Sequence, residues 1–90
     1  MTDFEDAVIE IIDRLEPGEV ITYGEVAAEA GHPGAARAVG SLLRTTGADI
    51  PWWRVVGAGG YLRSPKTSAQ ASHLADDGVL VVNNRVRLEP

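Results

Sequence analysis

The sequence predicts a mainly α-helical fold with a small β-hairpin, arranged as a winged helix-turn-helix. Three observations carry this. Two short helical stretches are joined by a Gly/Pro connection, "GHPG" at residues 31–34. The second of them is sharply two-faced. The last stretch, "VLVVNNRVRLE", has the pattern of two short strands around an Asn-Asn turn. At 90 residues the chain is expected to be one domain, residues 1–90.

In chain order, residues 3–16 read as the first helix. Phe4, Val8, Ile11, Ile12 and Leu15 recur at helical spacing, and Asp3 is placed to cap the start. Pro17-Gly18 ends it. Val20-Ile21 is a short apolar entry to the next element. Thr22 and Glu25 form a capping-box pattern, in which each side chain satisfies the other's backbone N–H. The helix that follows runs to about Ala30. In residues 35–46, "AARAVGSLLRTT", Ala35, Val39, Leu42 and Leu43 fall on one side. Arg37, Gly40, Ser41 and Arg44 fall on the other. Base-reading helices carry several long polar side chains, whereas this face is nearly bare. It suits close backbone approach to a shallow groove, with little sequence reading. "RVV" reads as a buried extended segment, "GAGGYL" as a turn, and "SPKTSAQASHLADDG" as a loop and then a short helix ending at Gly78. In the hairpin, Val79 to Val82 and Arg85 to Leu88 are the strands.

Composition narrows the chemistry. Cysteine is absent, which removes disulfides, thiolate metal sites and a cysteine nucleophile. His32 and His73 are the only histidines, so a metal site would need several carboxylates, and no metal or cofactor is expected. The N-terminus is acidic and has no basic start or long apolar run. No signal peptide, membrane span or membrane partner is therefore expected, and a cytoplasmic location is. Net charge is −5, but it is split: residues 1–36 carry −8 and residues 37–90 carry +3. A basic half facing a polyanion is one reading, and an ordinary solvated surface the other. The acidic first helix is a further candidate surface for a partner. Ser72-His73 and Ser41 lie in no carboxylate–His–Ser arrangement, which argues against a hydrolase.

Two stretches, "PGEVITYGEVAAEAGHPGAARAVGSLLR" and "IPWWRVVGAGGYL", resemble the C-terminal DNA-binding domain of the O6-alkylguanine-DNA alkyltransferases. The likeness is closer to the single-domain alkyltransferase-like proteins and runs from about Phe4 to about Leu88. The alkyltransferases carry Pro-Cys-His-Arg where this chain has Pro51-Trp52-Trp53-Arg54. Trp52 stands at the position of the alkyl-accepting Cys and Trp53 at that of its activating His. Alkyl transfer of that kind needs a thiolate, so no enzyme activity is expected. Trp at the first position is common among the alkyltransferase-like proteins, while Trp at the second departs from their usual His or Gln.

The resemblance implies roles for individual residues. Tyr23 would crowd the phosphate of the target nucleotide and help rotate it. Arg37 would enter the base stack and fill the vacated space. Ala36, Gly40 and Ser41 would lie against the minor groove, and Arg44 shares their face. Tyr23, Trp52, Trp53, Val55, Val56, Gly57, Gly60 and Tyr61 would form the pocket for the extruded base. Arg54 is expected to hold local structure through carboxylate or carbonyl contacts. Thr46 is nearest to the family's hinge asparagine, and Asp77 to a structural Glu. The implied function is recognition of O6-alkylguanine in double-stranded DNA by a monomer that flips the base. It would then mark the lesion for nucleotide excision repair proteins. The competing readings are a winged-helix regulator, which the bare Gly40-Ser41 face opposes, and a protein-interaction module.

Overall fold

The computed structural model describes residues 3–88. The first helix, α1 (Asp3–Asp13), has Asp3, Glu5 and Asp6 in its first turn, where carboxylates complement the helix dipole. Asp3 lies inside the helix, so the cap position ahead of it falls outside the described residues. Val8 and Ile12 are fully buried, and Phe4, Ile9, Ile11 and Leu15 pack around them. Burying each of the first two contributes about 1.5–3 kcal/mol. The helix ends before residue 16, and Gly18 turns the chain with φ +92°.

A two-residue strand follows, β1 (Ile21–Thr22), where the sequence showed only an apolar entry. Its partner lies far along the chain, as described below. The helix-turn-helix comes next, α2 (Tyr23–Glu29) and α3 (Ala36–Thr45). The capping box forms as the sequence predicts. Glu25 N–H donates to Thr22 Oγ1 at 3.1 Å, and Thr22 N–H donates to Glu25 Oε1 at 2.9 Å. Val26, Ala27 and Val39 close the helix pair onto α1 in a core shared with Ile21, Ile50 and Val55.

The next strand, β2 (Val55–Val56), pairs in parallel with β1, Ile21 opposite Val55 and Thr22 opposite Val56. Successive strand side chains point to opposite faces. Val55 therefore enters the first core, and Val56 a second one with Leu62, Leu74 and Val86. Helix α4 (Thr67–Asp76) supplies Leu74, and the hairpin β3 (Val81–Val82) and β4 (Arg85–Val86) supplies Val86. Asn83 and Asn84 take φ values of 53° and 62°, the left-handed pair that a two-residue hairpin turn requires. The ladder is shorter than the strand runs read from sequence. The hairpin is locked to the Gly-rich turn at Gly60. There φ is +93°, and an added Cβ would stand 1.9 Å from the Val86 carbonyl oxygen.

Candidate nucleic-acid interface

Pro51 leads into a single 3-10 turn, Trp52–Arg54, placed between the cores by β2. The turn sends its three side chains in different directions. Arg54 goes inward and is 8% exposed. Its Nε and Nη2 donate to the two oxygens of Asp77 at 2.7 and 3.0 Å, and its Nη1 donates to the Leu15 carbonyl at 2.9 Å. The carboxylate and carbonyl contacts expected of Arg54 are both present. Those hydrogen bonds hold the Asp77 carboxyl below the usual carboxylate range against the opposing effect of burial, and the bond from Trp53 adds to them. The same pairing raises Arg54 further above its ordinary value.

Trp53 lies half-buried against the second core and donates its indole N–H to Asp77 Oδ2 at 3.0 Å. His73 of α4 stacks on it, ring centroids 4.3 Å apart and planes within 18°. Trp52 stands edge-on to both, at 6.0 Å from Trp53 and 5.9 Å from His73. The buried Gln70 amide braces the turn, donating to the carbonyls of Trp53 and Val55 at 3.1 and 2.9 Å. The two indoles are thus fixed at right angles, with Trp53 tied to the framework.

Both indoles line a cleft of about 650 Å³. One wall is the helix-turn-helix, through Tyr23, Gly40, Leu43 and Arg44. The second is the loop 46–50, and the third is residues 63–66 with His73. Thr46 shapes the loop by accepting from Ala48 N–H at 3.1 Å. Among the described residues the lining holds Arg44, Arg63 and Lys66 but one carboxylate, Asp49, so the mouth is electropositive. The Lys66 ammonium lies 6.0 Å from the Trp52 ring centre, a cation–π distance. Burial raises the Tyr23 hydroxyl pKa, partly offset by Arg44, so the phenol stays neutral and able to donate.

The outer face of α3 flanks the cleft. Arg37, Ser41 and Arg44 are exposed, and Arg44 donates to Ser41 Oγ at 3.2 Å. A Cβ on Gly40 would find Arg44 Nη1 at 3.7 Å and Tyr23 Cε1 at 4.0 Å, which is ordinary contact. Packing within the chain therefore does not require glycine at a mid-helix position, where it costs about 1 kcal/mol relative to alanine.

Of the residues expected at the pocket, Tyr23, Trp52 and Trp53 line the cleft, joined by Gly40 and Arg44 from the helical face. Val55 and Val56 do not. They are fully buried, because β2 gives one side chain to each core. Gly57 is covered by the Arg63 side chain, Gly60 packs on the hairpin, and Tyr61 faces a different groove. The lip comes instead from residues 63–66, with His73 behind it. The sequence carried one signal for this lip, two cations around Ser64-Pro65 directly after the glycine-rich turn. Among the described residues no three His, Cys, Asp or Glu side chains gather as metal ligands. No helix there is long and apolar enough to cross a membrane.

Comparison with known proteins agrees with this geometry. The family model described as "6-O-methylguanine DNA methyltransferase, DNA binding domain" matches residues 3–79. A DNA base-flipping protein of Escherichia coli is 40% identical over 82 residues, covering 87% of this chain and 64% of that protein. The chain therefore spans about two-thirds of that relative's length. Alkyltransferase-like protein 1 of Schizosaccharomyces pombe is 32% identical over 85 residues, covering 88% of this chain and 79% of that protein. The crystal structure of S. pombe Atl1 with damaged DNA containing O6-carboxymethylguanine superposes with a TM-score of 0.86. It has 26% identity and covers 99% of this chain and 91% of that one. The Mycobacterium tuberculosis OGT–DNA complex superposes with a TM-score of 0.78 at 35% identity, covering 87% of this chain and 50% of that one. With a helix-turn-helix beside a cysteine-free cleft, and the family model matched from α1 to the start of the hairpin, the chain belongs to the 6-O-methylguanine DNA methyltransferase family, whose DNA-binding domain it carries.

Proposed function

We propose that this protein is a non-enzymatic sensor of O6-alkylguanine in duplex DNA. One observation carries the reading. An indole occupies the nucleophile position and lines a basic cleft beside a flat helical face. With no thiolate in the chain, an alkylated base held there is bound and released unchanged. Helix α3 approaches the minor groove with Gly40 and Ser41, Arg37 fills the space left in the stack, and Tyr23 donates to the displaced phosphate. The extruded base enters the cleft against Trp52. A volume of about 650 Å³ lies within the usual range of small-molecule sites. The relatives support the reading, since one is a DNA base-flipping protein and another was crystallised on damaged DNA.

Selectivity follows from energetics. Alkylated guanine pairs weakly, so its extrusion costs less than that of a sound base. An apolar wall discriminates a methylene by only about 1–3 kcal/mol, so methyl and larger adducts are both accepted. The bound lesion is then passed to nucleotide excision repair proteins. The test is a titration of tryptophan fluorescence with two duplexes identical except for one O6-methylguanine. Tighter binding and deeper quenching with the modified duplex support the sensor. Equal behaviour leaves a general minor-groove binder, and absence of binding to both at low salt removes DNA as the ligand.

A further inference from the structure

We propose that the outer face of the β3–β4 hairpin docks an extended, acidic segment of a partner protein that carries apolar side chains at alternate positions. Val81 and Val86 are cross-strand partners and turn inward, Val86 to the second core. Val82 and Arg85 are the next pair and share the outer face. With Leu80, Arg87, Leu88 and Tyr61 they border a groove separate from the cleft. Leu80 is 75% exposed and Val82 55%. An apolar row therefore lies open beside an arginine row.

Two features say what covers it. The first is charge. Among the described residues Arg85 and Arg87 border the groove and no carboxylate does. Arg87 makes no ion pair among the described residues, while Arg85 is held in place by its Nε bond to the Gly59 carbonyl at 2.9 Å. The Tyr61 ring has guanidinium groups near it from Arg85 at 5.1 Å and Arg63 at 5.3 Å. An acidic occupant is the complement. The second is the strand edge. Strand β4 has β3 on one side and the Tyr61 bridge on the other, so β3 is the open edge of this small sheet. An added strand meets the outward-turned backbone groups of Val81 there, since Val82 pairs with Arg85 across the turn, and Leu80 and Val82 are placed to receive alternate side chains. Phosphate would gain nothing from that apolar row, so a protein segment fits better than DNA. Tyr and Arg side by side are also the residue types that dominate binding energy at protein interfaces.

The test uses fluorescence anisotropy on the full chain without DNA, so that its outcome is independent of the lesion reading. The probe is a labelled peptide alternating glutamate and leucine, and the control replaces glutamate with lysine. The variants are Leu80→Ser combined with Val82→Ser, and Arg87→Glu. All three positions are exposed, and unchanged circular dichroism and melting temperature confirm folding. The expected result is binding of the acidic peptide alone, weakened about tenfold or more by either variant. No binding of the acidic peptide, or equal binding by chain and variants, overturns the proposal. Parallel loss of duplex binding in Arg87→Glu, with circular dichroism unchanged, gives the groove to DNA instead. Self-association of the natural chain in sedimentation, abolished by the serine variant, gives it to a second copy.

Discussion

Asp77 receives three hydrogen bonds from two neighbouring side chains, two from Arg54 and one from the Trp53 indole. It therefore joins the base of the cleft to the chain just after α1, through the bond from Arg54 to Leu15. Replacing Asp77 with alanine leaves a buried guanidinium without its counter-charge, which costs about 3–5 kcal/mol in urea unfolding. That is a large share of the ~5–15 kcal/mol typical of a domain. Because the folded carboxyl is held below its unfolded value, its contribution is complete above the ordinary carboxylate pKa of about 4. It is lost as pH falls through the folded value, so thermal unfolding scans drop steeply in that acid range, less so in Asp77→Ala. Trp52→Cys is expected to stay inactive when assayed for methyl transfer from O6-methylguanine DNA. The Trp53 N–H donates to Asp77 and has no lone pair with which to take a thiol proton. Labelled protein in that assay would overturn the argument. Arg37→Ala is expected to keep its melting temperature, because Arg37 is exposed, and to lose about tenfold or more in lesion-duplex affinity.

Helix α3 offers a substitution whose two effects oppose each other. Gly40→Ala has room for its methyl group inside the chain and should stabilise the fold by about 0.5–1 kcal/mol. It should also weaken duplex binding, because the methyl stands where the groove must come closest. A variant that gained stability and kept full affinity would remove the close-approach role of this face. Elements differ in how plainly the sequence announces them. The Thr22–Glu25 box and the Asn83-Asn84 turn are local chemistry, complete within a few residues, and both were legible. The β1–β2 pair was not, because two residues have no period and the partners lie in distant parts of the chain. The same strand explains the misplaced pocket wall. Only packing decides which sides of Val55 and Val56 meet a core, so the resemblance to the family drew residues 55–61 toward the cleft. The basic loop 63–66 took that place.

Across the whole molecule the charge is divided, −8 over residues 1–36 and +3 over residues 37–90, and the helix-turn-helix spans the boundary. The cleft contributes Arg44, Arg63 and Lys66 as candidate phosphate contacts. Each neutralised phosphate adds about −0.9 to the slope of log affinity against log salt, so a slope of about −3 is expected. A markedly steeper slope in a salt series would bring the hairpin arginines onto the DNA. The parallel pair of β1 and β2 has a further consequence, which concerns how the protein is made. Val55 belongs to the same core as Val8, Ile12, Val26 and Val39, so the helix-turn-helix lacks part of its interior until the chain has been synthesised past that residue. Loop closure over such a span must precede any reward from the contact. The recognition helices and the tryptophan turn should therefore mature together, late and cooperatively. A nascent chain carrying the helices alone would be a poor competitor for DNA.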